Sequence, residues 1–148
     1  MPIPDLNPHG LLPPGVYDCT FEEIRSRFGW NAHREGLLSS FKVFLTTELR
    51  PRFRDPVLFD GSFVTDKDQP VDTDVVLDLV AAPDARKWQG LQFMHAQQAR
   101  LMALYRVHFW VNLPGANDFA AFFQYVGVKT AKFKGLNPTH LKGILGLA

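Results

Sequence analysis

The chain predicts an α/β or α+β fold, in which helices pack on a small mixed β-sheet. Apolar residues recur at helical spacing over residues 31–50 and again over 85–104, which indicates two amphipathic helices. Strict alternation of apolar and polar residues over 106–113, and a β-branched run over 71–80, indicate strands. At 148 residues the chain is long enough for one domain with its own core, residues 1–148.

The N-terminal residues 1–19 are predicted to form an extended, Pro-rich arm. Five of the first fourteen residues are prolines, which fix φ and remove a hydrogen-bond donor. Thr20 with Glu23 three residues later matches the capping-box pattern. This pattern predicts a short helix that runs to about Phe28.

A second helix is predicted to begin after Asn31, which can cap it, and to run to about Arg50. Its apolar residues at helical spacing are Leu37, Leu38, Phe41, Phe44, Leu45 and Leu49. Its predicted polar face carries Arg34, Glu35, Lys42 and Glu48. Pro51 and Pro56 then bracket a break before the next strand.

The middle of the chain predicts a strand, a turn and a strand. The apolar run 57–59 leads into Asp60-Gly61-Ser62, which predicts a Gly-Ser turn followed by one helical turn. A loop over 66–70 precedes the strand over 71–80, and a helix over 85–104 follows. In the strand over 106–113, the residues predicted to share the polar face are Arg106, His108, Trp110 and Asn112.

The last part of the chain predicts one helix and one short strand. Asn117 or Asp118 can cap a helix with core residues Phe119, Phe122 and Phe123, ended by Gly127. Residues 142–147 predict the final strand. Between them Lys129, Lys132 and Lys134 alternate with apolar or small residues. These lysines either bind phosphates or an acidic partner, or they lie on a solvated edge strand and protect it from aggregation.

The composition excludes several classes of protein. A hydrophobic fraction of 46%, a charged fraction of 21% and a net charge of +1 fit an ordinary globular protein and argue against a general nucleic-acid coat. The single Cys19 excludes an internal disulfide and fits a reducing compartment. No run of eighteen apolar residues occurs, and the first residues lack the order of a signal peptide. We therefore expect a cytoplasmic protein without membrane association.

A candidate site lies in an acidic segment, 55–84, which contains eight Asp and one basic residue, Lys67. A Gly61-Ser62 turn that opens a helix can hold a phosphate on backbone N–H groups. Asp72 and Asp74, spaced i and i+2 on a strand, face the same way and can hold a divalent cation. The plainer alternatives are a helix cap for Ser62 and ordinary turn and edge-strand aspartates. Asp60, Asp66 and Asp68 are expected to be solvated loop charges.

These residues resemble the minimal nucleotidyltransferases of the DNA polymerase beta-like superfamily. The similarity consists of Gly61-Ser62, a spacer of nine residues and Asp72-Thr73-Asp74, followed by a helix and a further strand. The Pro-Pro-Gly arm, Phe28-Gly29 and the string over residues 60–67 resemble an uncharacterised bacterial branch of the same superfamily.

The resemblance implies a nucleotide site. Gly61 and Ser62 would contact the triphosphate of a nucleoside triphosphate substrate, together with Lys67, and Asp72 and Asp74 would hold Mg²⁺ or Mn²⁺. A third carboxylate on a later strand completes the site in that superfamily and helps to activate the attacking hydroxyl. The strand over 106–113 contains neither Asp nor Glu, and His108 or Asn112 occupies that position. His108 is then either a metal-binding or catalytic residue or a buried, hydrogen-bonded strand histidine.

The resemblance implies two possible functions. The first is Mg²⁺-dependent transfer of a nucleotidyl group to a hydroxyl of a protein or RNA. The second is a catalytically weakened nucleotidyltransferase fold that serves as a binding module, such as an antitoxin or immunity protein, and it is favoured by His108 in place of a carboxylate. The resemblance also implies a partner protein, such as a toxin or another acceptor. We expect no large nucleic acid, because the chain has no second domain to grip one.

Overall fold

The computed structural model describes residues 3–113, 125, 131–132 and 134–147. The strands within this part are β1 (Gly15–Cys19), β2 (Val57–Asp60), β3 (Thr73–Asp78), β4 (Val107–Asn112) and β5 (Gly143–Leu147). They form one sheet in the order β1-β5-β2-β3-β4. β1 is parallel to β5 and β3 to β4, whereas β2 is antiparallel to both of its neighbours. The predicted α+β class, with a small mixed sheet, is confirmed.

The helices are α1 (Phe21–Phe28), α2 (Ala32–Phe44), a π-helical turn (Leu45–Leu49) and α3 (Asp84–Tyr105). Both predicted N-caps are present: Thr20 and Glu23 form the capping box of α1, and the Asn31 side chain accepts a hydrogen bond from the Arg34 N–H. No helix in the described ranges is long and apolar enough to cross a bilayer.

The main core lies between one face of the sheet and the helices. Val75 and Leu77 of β3 point to this face and are fully buried. Phe41 of α2 packs on Phe59 of β2 with ring centroids 4.5 Å apart and the ring planes tilted by 40°. Burying each of these large side chains contributes about 1.5–3 kcal/mol, so this face holds the helices on the sheet.

The opposite face of the sheet is apolar at its centre and polar at one end. Leu58, Val76 and Ile144 form a small buried cluster there, with Trp110 packed beside it. At the end where β2 finishes, register pairs Asp60 with Asp74, and Asp74 with His108. Because residues paired across strands share a face, these three polar side chains lie in one row.

Two residues of the predicted polar face of the second helix are buried instead. Arg34 is 0% exposed and Glu48 is 8% exposed. Both charges are satisfied inside the protein: Arg34 donates to backbone carbonyls, and Glu48 accepts from Arg100 and from the Tyr105 hydroxyl. The prediction that these two side chains face solvent is therefore wrong. Burial of each charge is tolerated because the charge is paired or hydrogen-bonded within the protein.

Some predicted boundaries also change. β3 begins at Thr73 rather than 71 and ends at Asp78 rather than 80, so Asp72 lies just before the strand. The edge-strand alternative for the lysine-rich segment is wrong at residues 131, 132 and 134, which are helical. Ala131 there packs on the buried Leu11. The helix predicted over 117–126, with its three phenylalanines and Gly127, concerns residues that lie outside the described part except for residue 125.

Candidate functional site

The Gly-Ser turn directly follows β2. Gly61 has φ +83° and ψ −168°, and Ser62 begins a three-residue 3-10 turn, Ser62–Val64. Phe63 and Val64 are fully buried and anchor this turn on the core. The Thr65 hydroxyl donates to the Ser62 carbonyl at 2.6 Å. The turn is therefore fixed in place, with Gly61 in a backbone region that side chains strongly disfavour.

Gly61 lies directly against the carboxylate of Asp74. A Cβ atom at position 61 would be 2.0 Å from Asp74 Oδ2, and 3.2 Å from the Asp74 Cβ. Only glycine leaves room for this approach. The backbone of the turn therefore lies beside the carboxylate of Asp74, whose side chain is 18% exposed.

His108 stands on the other side of the same carboxylate. Its Nδ1 is 3.3 Å from Asp74 Oδ1, and its side chain is 37% exposed. The hydrogen bond to Asp74 raises the pKa of His108, with the charges of Asp74 and Asp72 adding to this effect and burial opposing it. A bond through Nδ1 leaves Nε2 available to other groups.

Asp72, which lies just before β3, is the least compensated carboxylate near the Gly-Ser turn. Burial raises its pKa, and the neighbouring charge of Asp74 raises it further. His108, Lys67 and Arg106 act in the opposite direction. Among the described residues, no Lys, Arg or His nitrogen lies within 4 Å of the Asp72 carboxylate to form an ion pair with it.

Asp60 is not a solvated loop charge, contrary to the prediction. It is 1% exposed and forms a buried ion pair with Lys142, the residue before β5. Burial raises the pKa of Asp60 to about 6, although Lys142 and the Gly61 N–H act in the opposite direction. The expectation for the other two loop aspartates is confirmed, since both are exposed; Asp66 binds Lys134 and Asp68 accepts from the Trp30 indole. Asp60 differs because it ends a buried strand rather than lying in the loop.

The buried Arg34 fixes the segment that follows the Gly-Ser turn. Its guanidinium donates to the carbonyl oxygens of Phe28, Phe63, Thr65 and Lys67. It also lies over the Trp30 ring, with Cζ 3.7 Å from the ring centroid. Three of the four carbonyls belong to residues 63–67, so one side chain of α2 sets the position of the loop that carries Lys67.

The model of a family of unknown function, DUF6932, matches residues 4–146. The chain belongs to the DUF6932 family. No curated protein and no solved structure matches it.

The carboxylates of this DUF6932 protein fit a divalent cation only in an open site, that is, one in which a ligand and water supply part of the coordination. Within the described ranges, no group of three or more His, Cys, Asp or Glu residues is arranged to hold a metal ion. The third position beside the two carboxylates is His108, which is already bonded to Asp74. Mg²⁺ is commonly bound by one or two carboxylates, with phosphates and water supplying its other oxygens. Asp72 and Asp74 fit such a site and do not fit a closed site made by the protein alone.

The structure thus brings together most of the residues that the sequence singled out. Gly61, Asp74 and His108 are neighbours, Asp72 and Ser62 lie beside them, and Lys67 lies on the adjoining loop. Sequence reasoning missed Lys142 and Arg34 as supports of this site. Lys142 carries no local signal, because its partner is far away in the chain. Arg34 does carry one, since it precedes Leu37 and Leu38 on the apolar stripe of its helix.

Proposed function

We propose that this DUF6932 protein binds a nucleoside triphosphate with Mg²⁺ or Mn²⁺ at the site formed by Gly61, Ser62, Asp72 and Asp74, and transfers the nucleotidyl group to a hydroxyl of a protein or RNA. The observation that carries the proposal is the approach of Gly61 to Asp74. It sets a backbone turn suited to phosphate against a carboxylate suited to a cation.

The strand arrangement supports the resemblance from which this function was inferred. β3 lies between β2, which leads into the Gly-Ser turn, and β4. His108 of β4 is paired with Asp74, which is where a third carboxylate would be expected on the later strand. The Gly-Ser turn follows β2, Asp72 lies just before β3 and Asp74 on it, and His108 lies on β4, so neighbouring strands carry all three parts of the proposed site.

Each residue has a defined part in the proposed reaction. The Gly61-Ser62 turn and Lys67 bind the phosphates, and Asp72 and Asp74 hold the cation. A bound cation would neutralise charge on the α-phosphoryl group. The acceptor oxygen forms a bond to the α-phosphorus as the bond from that phosphorus to the β-phosphate oxygen breaks, and pyrophosphate leaves. Asp74 orients His108 through Nδ1, and the neutral His108 accepts the proton of the acceptor hydroxyl at Nε2.

A binding titration tests the first half of the proposal. ATP, CTP, GTP and UTP are titrated with Mg²⁺ or Mn²⁺ by calorimetry and thermal shift; a ligand at a hundredfold excess over Kd stabilises the fold by about 2.7 kcal/mol. Asp74→Asn is expected to abolish the effect. Asp78→Asn is the matched control, since it lies on the same strand and face about 13 Å further along. Absence of heat and of stabilisation with all four nucleotides would remove the proposal.

A transfer assay tests the second half. The wild type is incubated with labelled nucleotides and cell extract, in parallel with the Asp72→Asn/Asp74→Asn double variant. Label is expected on an acceptor only with the wild type. His108→Gln is expected to lower transfer by about a hundredfold or more while nucleotide affinity stays unchanged. Equal labelling by His108→Gln and the wild type would exclude His108 as the base.

A second candidate function is a binding module that keeps the fold without turnover, such as an antitoxin or immunity protein. The observation that favours it is the ion pair of Asp74 with His108, because a histidine is a poor oxygen substitute around Mg²⁺. Nucleotide binding without transfer, together with co-purification of a small partner protein, would support this function over the first.

A further inference from the structure

An arginine-lined pocket of about 360 Å³ lies at the end of the sheet opposite the candidate site. The pocket adjoins the segment before β2, whereas the Gly-Ser turn follows β2, so the strand separates the two by ~10 Å. Its lining residues are Arg50, Pro51, Arg52, Arg54, Asp55 and Arg86. Five of these six are charged, and four are arginines.

The positive charge of this arginine pocket is only partly neutralised. Arg86 forms a forked ion pair with Asp55, with Nε–Oδ2 2.9 Å and Nη2–Oδ1 3.1 Å. Arg52 reaches the Glu48 carboxylate at 3.6 Å. Among the described residues, neither Arg50 nor Arg54 has a carboxylate within 4 Å. Glu48 is already paired with Arg100, so the four lining guanidinium groups are opposed only by the Asp55 carboxylate, and a local charge of about +3 remains.

One arginine also has hydrogen-bonding capacity to spare. Arg50 Nη1 donates to the carbonyls of Phe53 and Asp55, but Arg50 Nη2 is buried without a hydrogen-bond partner in the described part of the chain. Buried N–H groups of this kind are rare, because each unmade hydrogen bond costs free energy. An acceptor from outside the chain would satisfy it after a small movement of the side chains that cover it.

The segment that carries three of the four arginines, residues 50–54, is fixed before any ligand arrives. The N–H groups of Arg52 and Phe53 both donate to the Leu49 carbonyl, at 3.0 and 2.7 Å. Phe53 is 2% exposed and belongs to the main core. A preformed loop loses little conformational entropy on binding, so its charges are available for a ligand.

We propose that the arginine pocket binds a small anion that carries two or more linked phosphate groups. Guanidinium groups match phosphate oxygens through forked pairs of N–H donors. The charge of about +3 exceeds that of a single phosphate, which is about −1.5 to −2 near neutral pH. The described lining of the pocket contains no aromatic side chain, so charge, rather than stacking on an aromatic ring, is what it offers a ligand.

The test is calorimetry of the full chain with pyrophosphate and tripolyphosphate, with EDTA present and no divalent cation. Sulfate serves as the single-anion control. The same titration with the Asp74→Asn variant separates this pocket from the proposed nucleotide site, because the pocket is expected to bind equally well in that variant. Failure of the nucleotide proposal would leave this result unchanged.

Arg54→Ala is the principal variant, because Arg54 is exposed and its loss does not threaten the fold. It is expected to weaken tripolyphosphate binding by about tenfold or more. Lys42→Ala on α2 removes the same charge beside Glu22, away from the pocket, and is expected to leave binding unchanged. Arg86→Ala frees the Asp55 carboxylate and is expected to weaken binding further.

Several results would overturn the proposal. Absence of tripolyphosphate binding at millimolar concentration would do so, as would equal losses in Arg54→Ala and Lys42→Ala, since general surface charge would then account for the binding. A short single-stranded RNA that binds more tightly than tripolyphosphate and loses affinity in Arg54→Ala would show that the ligand is a nucleic acid instead. Far-UV circular dichroism of each variant establishes that it is folded.

Discussion

Replacing Gly61 by alanine tests the geometry on which the proposed nucleotide site depends. Gly61 has φ +83° and ψ −168°, and an added Cβ would be 2.0 Å from Asp74 Oδ2. Gly61→Ala therefore introduces two separate costs. One is backbone strain at position 61, and the other is displacement of the Asp74 carboxylate away from His108.

The size of each cost can be worked out. A non-glycine residue in a sparsely populated backbone region costs about 1–3 kcal/mol. The Asp74 carboxylate is the end of a side chain that can rotate, so relief of the contact and loss of the partly exposed ion pair with His108 add about 1 kcal/mol. We expect Gly61→Ala to lower the free energy of unfolding by about 2–4 kcal/mol.

Urea unfolding of the wild type, Gly61→Ala, Asp74→Ala and the double variant measures the backbone strain and the carboxylate displacement separately. In the Asp74→Ala background the carboxylate contact is absent, so Gly61→Ala should cost about 1 kcal/mol less there than in the wild type. Gly36→Ala is the matched control, since Gly36 is exposed on α2 and an added Cβ meets nothing within 4 Å. It should stabilise by about 0.5–1 kcal/mol. A loss under 0.5 kcal/mol for Gly61→Ala, or an equal loss in both backgrounds, would refute the reasoning.

Three further predictions concern buried or paired charges. Arg34→Lys should lower the free energy of unfolding by about 3 kcal/mol, because lysine cannot reach four carbonyl oxygens at once; urea unfolding unchanged from the wild type would contradict this. The hydrogen bond from Arg100 lowers the pKa of Glu48 to about 2, so its stabilisation is present above pH 4.5 and is lost as the pH falls toward 2. Glu48→Gln should therefore cost about 2 kcal/mol at pH 7, and less in unfolding experiments at pH 3. The hydrogen bond to Asp74 raises the pKa of His108, so its stabilisation is complete below pH 6.5 and is lost as the pH rises through the pKa of the folded state. NMR titration should find a lower His108 pKa in Asp74→Asn. An unchanged pKa would exclude Asp74 as the cause of the shift.

Local patterns in the sequence were enough to predict the order of most elements. The capping box of Thr20 and Glu23 and the cap at Asn31 act within three residues, so a single sequence contains the whole signal. The alternation over β4 likewise reflects one strand that lies on a sheet with two different faces. The mixed order of the strands depends on contacts between distant residues. The pairing of β1 with β5 joins the two ends of the chain and has no local signal.

The buried charges show why part of the site was not predicted. Arg34 lies three residues before Leu37 and Glu48 lies three after Leu45, so helical periodicity placed both on the buried stripe of the second helix. Residue type argued for the polar face, because Arg and Glu are rarely buried without partners. Arg34 has most of its partners 29 to 33 residues away, and the Arg100 partner of Glu48 is 52 residues away. A single sequence gives the position of such a charge but not the groups that satisfy it.

The acidic segment itself leads to a last prediction. Cations from later in the chain pair with five of its eight aspartates, in the pairs Asp55–Arg86, Asp60–Lys142, Asp66–Lys134, Asp74–His108 and Asp84–Lys87. Asp72 has no such partner among the described residues, and burial with the nearby charge of Asp74 raises its pKa.

An added divalent cation should therefore gain most at Asp72, because that carboxylate is the one least compensated by the protein. In NMR titrations of the side-chain carboxyl groups, Mg²⁺ with a nucleoside triphosphate should lower the pKa of Asp72 by more than that of Asp78. Asp78 lies further along the same strand and is the control. If both carboxyl groups respond equally, the cation acts through general screening rather than at a site, and the proposed role of Asp72 is wrong.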